Sequence, residues 1–160
     1  MSADASQMAD RLAILEVEGA YARLSDSGEG DAWADLFTPD GVYQGIDLPG
    51  MPDTTAPIRG RAALAQVVND FGHPYTHRLH TPQITLLGDR ATARTHFEFE
   101  SSRIDEFGNF HETSMTGFYH VDLEKGEEGW KIRNRVTVPF SISTKSTSGH
   151  KNHEIPGPGN

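Results

Sequence analysis

Cysteine is absent from the chain, which excludes a disulfide framework, a thiolate nucleophile and thiolate metal ligation. Basic residues are scarce, with 14 Lys and Arg against 23 Asp and Glu and a formal charge of -9 at pH 7. Nucleic-acid binders gather Lys and Arg on one face to neutralise phosphates, so no nucleic-acid partner is expected. No apolar run approaches the ~20 residues needed to cross a bilayer, and membrane insertion is set aside. The start Met1 to Asp10 has no basic region followed by an apolar stretch, so no secretory leader is read there and a cytoplasmic location is expected. What remains is one globular domain, because 160 residues with 36% apolar content bury roughly 70% of their unfolded surface and can enclose a pocket.

Met8, Leu12, Leu15, Val17, Tyr21 and Leu24 recur at helical spacing and predict an amphipathic helix over Ala5 to Leu24. The run from Ser25 through Asp26 to Gly30 weakens that helix. A short second helix is expected over Asp31 to Phe37, with Asp31 as its cap, Trp33, Leu36 and Phe37 buried, and Thr38-Pro39-Asp40-Gly41 as its stop. Val42-Tyr43-Gln44 reads as a strand. Ile46 to Pro57 is too proline-rich for a regular element and suits a lid or pocket rim. A third helix over Arg61 to Phe71 turns Ala62, Leu64 or Ala65, Val67, Val68 and Phe71 inward.

The period then changes. Stretches around Arg78 to Leu87, Arg90 to Ile104, His111 to Leu123 and Trp130 to Phe140 are β-rich and separated by turns, which predicts an antiparallel meander. Ala91, Ala93, Thr95, Phe97 and Phe99 alternate with polar residues and are expected to face the core or pocket. Residues 1–140 therefore form the domain, and Ser141 to Asn160, rich in Ser, Gly, Pro and His, forms an irregular tail. Three helices followed by a long, strongly bent antiparallel sheet predict an α+β fold in which the helices close a cone-shaped sheet. Tyr21, Asp26 and His77 bring a phenol, an acid and an imidazole to the gap between the two layers, which suggests proton transfer in an apolar cup.

The order of elements, with Tyr21-Ala22-Arg23-Leu24-Ser25-Asp26, the run Asp31 to Gly41, and Ile58-Arg59-Gly60-Arg61, resembles the SnoaL-like polyketide-cyclase family of the nuclear-transport-factor-like superfamily. The likeness continues through Thr76-His77, Leu87-Gly88-Asp89-Arg90-Ala91 and Gly129-Trp130-Lys131-Ile132, covering Leu12 to Phe140. It is closer to the branch of scytalone dehydratase, bile-acid dehydratase and hexachlorocyclohexane dehydrochlorinase, whose members place an Asp at the end of helix one and a His at the start of a following strand. Here those positions are Asp26 and His77, and Tyr21 occupies the functional position five residues before the Asp. Where the family often has an Asn four residues after the His, this chain has Thr81 followed by Pro82.

The resemblance implies a cofactor-independent lyase, a dehydratase or similar eliminating enzyme, acting on a small hydrophobic or aromatic hydroxy or carbonyl compound. Asp26 orients and supports His77 as general base, and Tyr21 donates a proton or hydrogen bond. Trp33, Phe37, Tyr43, Phe97, Phe99 and Tyr119 are expected to wall the cup, with Thr95, His80 and Arg135 as polar contacts. Two geometric conditions attach. Five residues at ~100° each place Tyr21 and Asp26 roughly 140° apart, so they converge only if the helix kinks or unwinds near Ser25. Strand alternation sends His77 and His80 to opposite faces unless Pro82 marks a bulge. The spacing of His73, His77, His80 and His96 matches no metal motif, so neither metal nor cofactor is expected. An isomerase or cyclase in the same pocket, a non-catalytic binding module, and a small subunit of a dioxygenase-type complex are the alternatives. A homodimer or homotrimer through the sheet's outer face is expected from the resemblance.

Overall fold

The structure, a computed structural model, describes residues 3–72 and 74–148. Helix α1 spans Ala3–Asp26 and does not unwind at Ser25. Its end is closed by Gly28, whose φ of 72° suits glycine, with the Gly28 N–H donating to the Ser25 carbonyl and the Glu29 N–H to the Leu24 carbonyl. This paired closure is the Schellman arrangement, so the glycine that reads as a helix breaker keeps the helix regular up to Asp26. The buried face also differs from the predicted stripe. Met8, Leu12 and Leu15 are exposed, whereas Ile14, Glu18, Tyr21 and Ser25 lie buried down one side at helical spacing.

Helix α2 is only Gly30–Ala34, preceded by Glu29, and Asp31 provides no cap. Phe37 already belongs to strand β1, Phe37–Gln44, so Thr38 to Gly41 form an irregularity inside a strand rather than a helix stop. Strand β2, Ile58–Arg59, leads to helix α3, Arg61–Asn69, which buries Leu64, Ala65 and Val68 but leaves Ala62 exposed. The predicted strand Arg78 to Leu87 is two strands, β3 (Tyr75–Leu79) and β4 (Gln83–Leu87), interrupted at Pro82. Strands β5 (Arg90–Ile104), β6 (Phe110–Gly126) and β7 (Gly129–Thr147) complete the sheet. Strand β7 runs past Phe140 through Thr147, where the sequence pattern places irregular chain. Residues 149–160 of that expected tail lie outside the described residues, as does His73.

The sheet order is β2-β1-β7-β6-β5-β3, with β4 also pairing β5. Pairings are antiparallel except β1 with β7, a parallel contact that a meander does not contain. Curvature has a local cause. At Gly117 the register of β6 on β7 shifts, and a Cβ there would stand 2.3 Å from the Val138 carbonyl oxygen. The close approach bends the sheet around the helices, and Ala91, Ala93, Thr95, Phe97 and Phe99 all turn to the concave side as their alternation predicts.

The β5–β6 hairpin carries its own polar lock. Asp105 accepts from the backbone N–H groups of Phe107 and Asn109 and from the Asn109 side chain, and lies 2.8 Å from His111 Nε2. His111 Nδ1 in turn meets Ser146 Oγ at 2.8 Å on β7. His111 above all, then Asn109, holds the Asp105 carboxyl far below the usual carboxylate range. A folded-state value below the unfolded one stabilises the protein at pH values above the unfolded carboxylate's ~3.9, and the contribution disappears as pH falls through the folded value. Acid titration by circular dichroism is expected to show Asp105→Asn losing less of its stability than wild type between pH 5 and pH 2. Equal losses would show that the hairpin does not carry this charge effect.

Candidate active site

The end of α1 and the start of β3 are tied together by hydrogen bonds. The Tyr75 hydroxyl donates to the Ser25 carbonyl oxygen at 2.6 Å. The His77 backbone N–H donates to Asp26 Oδ2 at 2.9 Å, while Asp26 Oδ1 stands 2.6 Å from His77 Nδ1. One carboxylate therefore grips both the backbone and the ring of the same histidine, which fixes the imidazole's orientation as well as its partner. The His77 side chain is 8% exposed and that of Asp26 23%. With Nδ1 taken by Asp26, Nε2 is the nitrogen left for the cup that the ring lines.

Aromatic rings brace that imidazole. Phe99, Tyr75 and Tyr21 have centroids 5.0, 5.7 and 6.1 Å from it, each near edge-to-face. Tyr21 and Asp26 thus both reach one ring without any kink in α1, because His77 approaches them from β3. Burial, together with the neighbouring Tyr43 and Tyr119, pushes the Tyr21 hydroxyl well above the ordinary phenol range. It remains a protonated donor through neutral and mildly alkaline pH.

Beneath Tyr21 lies a charged pair that the sequence pattern does not reveal. Arg135, fully buried on β7, places Nη1 2.5 Å from Glu18 Oε1, and Thr95 Oγ1 donates to Glu18 Oε2 at 2.7 Å. The guanidinium carbon sits 3.6 Å from the Tyr21 ring centre and 4.1 Å from that of Tyr119. Burial acts most strongly, and against the charge on Arg135, but the Glu18 carboxylate together with the Tyr21 and Tyr119 phenols outweighs it and holds the guanidinium above its ordinary value.

The cup is walled by Tyr21, Trp33, Tyr43, His77, Phe99 and Tyr119 on the helix and sheet side. Its opposite wall comes from α3 and from the loop after β1, where Ile46, Leu48, Met51 and Thr54 turn inward, as the lid or rim expectation requires. That loop is tied to β1 by the Gly45 N–H donating to the Thr54 carbonyl at 2.8 Å. The free space is about 50 Å³, enough for a few waters at ~10–15 Å³ each, so a ring-sized ligand requires this wall to move. A wider depression near Pro74, Glu100 and Lys145 is open and polar, and the enclosed apolar cup is the better ligand site on chemical grounds.

Comparison with known proteins agrees with this architecture. The SnoaL-like domain pattern matches residues 6–136. The chain belongs to the SnoaL-like family. A nuclear-transport-factor-2-like protein of cystatin-like fold from Novosphingobium aromaticivorans shares 25% identity with it at a TM-score of 0.67, covering 87% of each chain. A scytalone dehydratase-like protein from the same organism shares 16% identity over 94% of this chain and 99% of its own, with a TM-score of 0.73. A type 2 hexachlorocyclohexane dehydrochlorinase shares 13% identity over 96% of this chain and 100% of its own, with a TM-score of 0.76. At such identities the last two establish the fold alone. A search of curated proteins returns no match.

Within this SnoaL-like domain the expected wall residues divide into layers. Trp33, Tyr43, Phe99 and Tyr119 line the cup. Phe37 packs behind Trp33, and Phe97 stacks on Tyr119 from below, with centroids 4.9 and 4.3 Å apart respectively. Thr95 and Arg135 are engaged with Glu18 in the same lower layer and do not face the cup. His80 is on the outer face, its side chain 3.4 Å from Glu98, because alternation within β3 is strict up to Leu79 and Pro82 lies beyond it. Glu100 is likewise outside, paired with Arg78. Ser25, Met115 and Thr137 complete the lining and carry no sequence signal beyond strand and helix phase. No described helix is long and apolar enough to cross a membrane.

Proposed function

We propose that this SnoaL-like protein is a cofactor-independent lyase that eliminates water or a similar group from a small hydrophobic or aromatic hydroxy-carbonyl compound. The 2.6 Å contact between Asp26 and His77, with the imidazole lining an apolar cup, is the observation that supports this reading most strongly. His77 Nε2 takes a proton from the carbon next to the substrate carbonyl, and the Asp26 carboxylate stabilises the imidazolium so formed. The electron pair moves onto the carbonyl oxygen, which receives a hydrogen bond from the Tyr21 hydroxyl. It then returns to expel the β-hydroxyl, which leaves as water with the proton from His77. The product is a conjugated carbonyl compound, and atoms and charge balance without an external oxidant or reductant.

The same base serves an isomerase or cyclase that returns the proton to carbon without losing a group. Turnover of a panel of β-hydroxy ketones and phenolic ketols, followed by enone absorbance and by mass of the product, distinguishes the two. A mass loss of one water is expected. Unchanged mass with a moved double bond would favour isomerisation, and no turnover together with co-purification of a larger iron-containing subunit would favour an assembly role. We also infer that a second copy covers the sheet's outer aromatic group of His96, Phe118 and Phe140, whose ring centroids lie 5.6 to 6.1 Å apart. Sedimentation velocity showing a monomer would contradict this.

A further inference from the structure

Thr137 lines the cup from β7, opposite Tyr119, and is 7% exposed. Its hydroxyl has no hydrogen-bond partner among the described residues, and the Trp33 indole nitrogen, on another lining residue, is in the same condition. A buried hydroxyl that bonds nothing is worse for folding than the isosteric methyl of valine, so this position sacrifices stability. Local rules broken in this way gather where a ligand completes the bonding.

The rest of the cup narrows the ligand. Apart from His77, no lining side chain among the described residues is ionisable near neutral pH. The nearby cation, Arg135, is paired with Glu18 and sealed behind Tyr21 and Tyr119. A charged ligand group would therefore enter without a counter-ion. Strand β7 is three places from β3 in the sheet, a separation of about 14 Å along the sheet and less across its concave side. An oxygen bound at Thr137 is consequently remote from a carbon at His77.

We propose that Thr137 is a specificity-determining residue that hydrogen-bonds a second oxygen of the substrate, and that the substrate is an uncharged ring compound with one oxygen at the reacting end and another at the far end. The proposal rests on the cup being the substrate site, as under the proposed function. Threonine supplies either a donor or an acceptor, so both a ring hydroxyl and a ring carbonyl satisfy it. Loss of one such bond corresponds to about a tenfold change in affinity.

The test uses two probes of nearly equal shape, 4-hydroxyacetophenone and acetophenone, titrated into wild type, Thr137→Val and Thr137→Ser while the His77 ring signals are followed by NMR. Wild type is expected to bind the hydroxylated probe about tenfold more tightly. Thr137→Val is expected to lose that preference, bind acetophenone as before and melt at the same or a higher temperature, and Thr137→Ser to regain the preference. Retained discrimination in Thr137→Val, or a lower melting temperature that reveals an internal partner for the hydroxyl, would overturn the proposal. Equal binding of both probes by all three proteins overturns it while leaving His77 as base intact. Failure of both probes to bind or to perturb His77 would remove the cup as the binding site and the proposed function with it.

Discussion

His77→Ala lowers turnover of an eliminating substrate by roughly 10²- to 10⁴-fold, the range contributed by a positioned general base. The loss falls mainly on kcat, because the substitution leaves the loop and α3 wall, whose movement admits substrate, unchanged. Asp26→Asn is expected to approach the same loss by another route. An asparagine keeps the shape, but its amide N–H competes to face His77 Nδ1, and its carbonyl cannot balance an imidazolium as a carboxylate does. Because Asp26 also receives the His77 backbone N–H at 2.9 Å, the substitution loosens the ring's anchorage as well as its charge. Steady-state kinetics on the two variants, with circular dichroism to verify folding, checks this. Full activity in both variants would remove the dyad from the mechanism.

Glu18→Ala is the second substitution with a large expected effect, and here the effect is on folding. Arg135 is 0% exposed and its guanidinium has Glu18 as its counter-charge at 2.5 Å. Removing one member of a buried ion pair leaves the other charged and unsolvated, at a cost of about 3–5 kcal/mol. A domain of this size has a total stability of only ~5–15 kcal/mol, so partial unfolding at physiological temperature is expected. Urea unfolding checks the value. Glu18→Gln retains a hydrogen-bond acceptor for Thr95 and should cost less. Replacing Glu18 and Arg135 together by apolar residues of similar volume should recover much of the loss. A Glu18→Ala protein as stable as wild type would show that water or another group already compensates Arg135. The pair also underlies the Tyr21 and Tyr119 rings, so the double replacement tests whether those phenols stay in register when the cation beneath them is gone.

The same ion pair explains why part of the molecule was hidden in the sequence. Hydropathy assigns Glu18 to the solvent face of α1 and turns Met8, Leu12 and Leu15 inward, whereas neutralisation by Arg135 allows a face rotated toward Glu18 to be buried, with Tyr21 and Leu24 of the predicted stripe retained. Arg135 itself reads as a polar strand residue because its partner is 117 positions away. Alternation was the more dependable guide. It placed Ala91 to Phe99 on the concave side, and it correctly opposed His77 to His80. The run Ser25 to Gly30 reads as a weakened end of α1, yet the positive φ of Gly28 closes the helix and delivers Asp26 to β3. The SnoaL-like fold and the family were legible in the motifs, and the pairing of Asp26 with His77 was an expectation of the resemblance, which their 2.6 Å contact matches. Met115 and Thr137 were not legible, since their place in the cup follows from how β6 and β7 pair around Gly117, and Ser25 was not, since its place follows from the helix phase that buries Glu18. Thr38 to Gly41 misled for a related reason. Their turn chemistry is real, but it produces a bulge in a strand that pairs in parallel with β7.

The most direct test of His77 as a carbon base does not depend on knowing the leaving group. Incubating the protein with acetophenone, 4-hydroxyacetophenone and a series of cyclic ketones in D₂O, and following loss of the carbonyl-adjacent proton signal by NMR, measures proton abstraction alone. Wild type is predicted to catalyse exchange of at least one member of the series and His77→Ala to fall to the rate of buffer. Exchange by folded His77→Ala at the wild-type rate would contradict the assignment of His77 as the base.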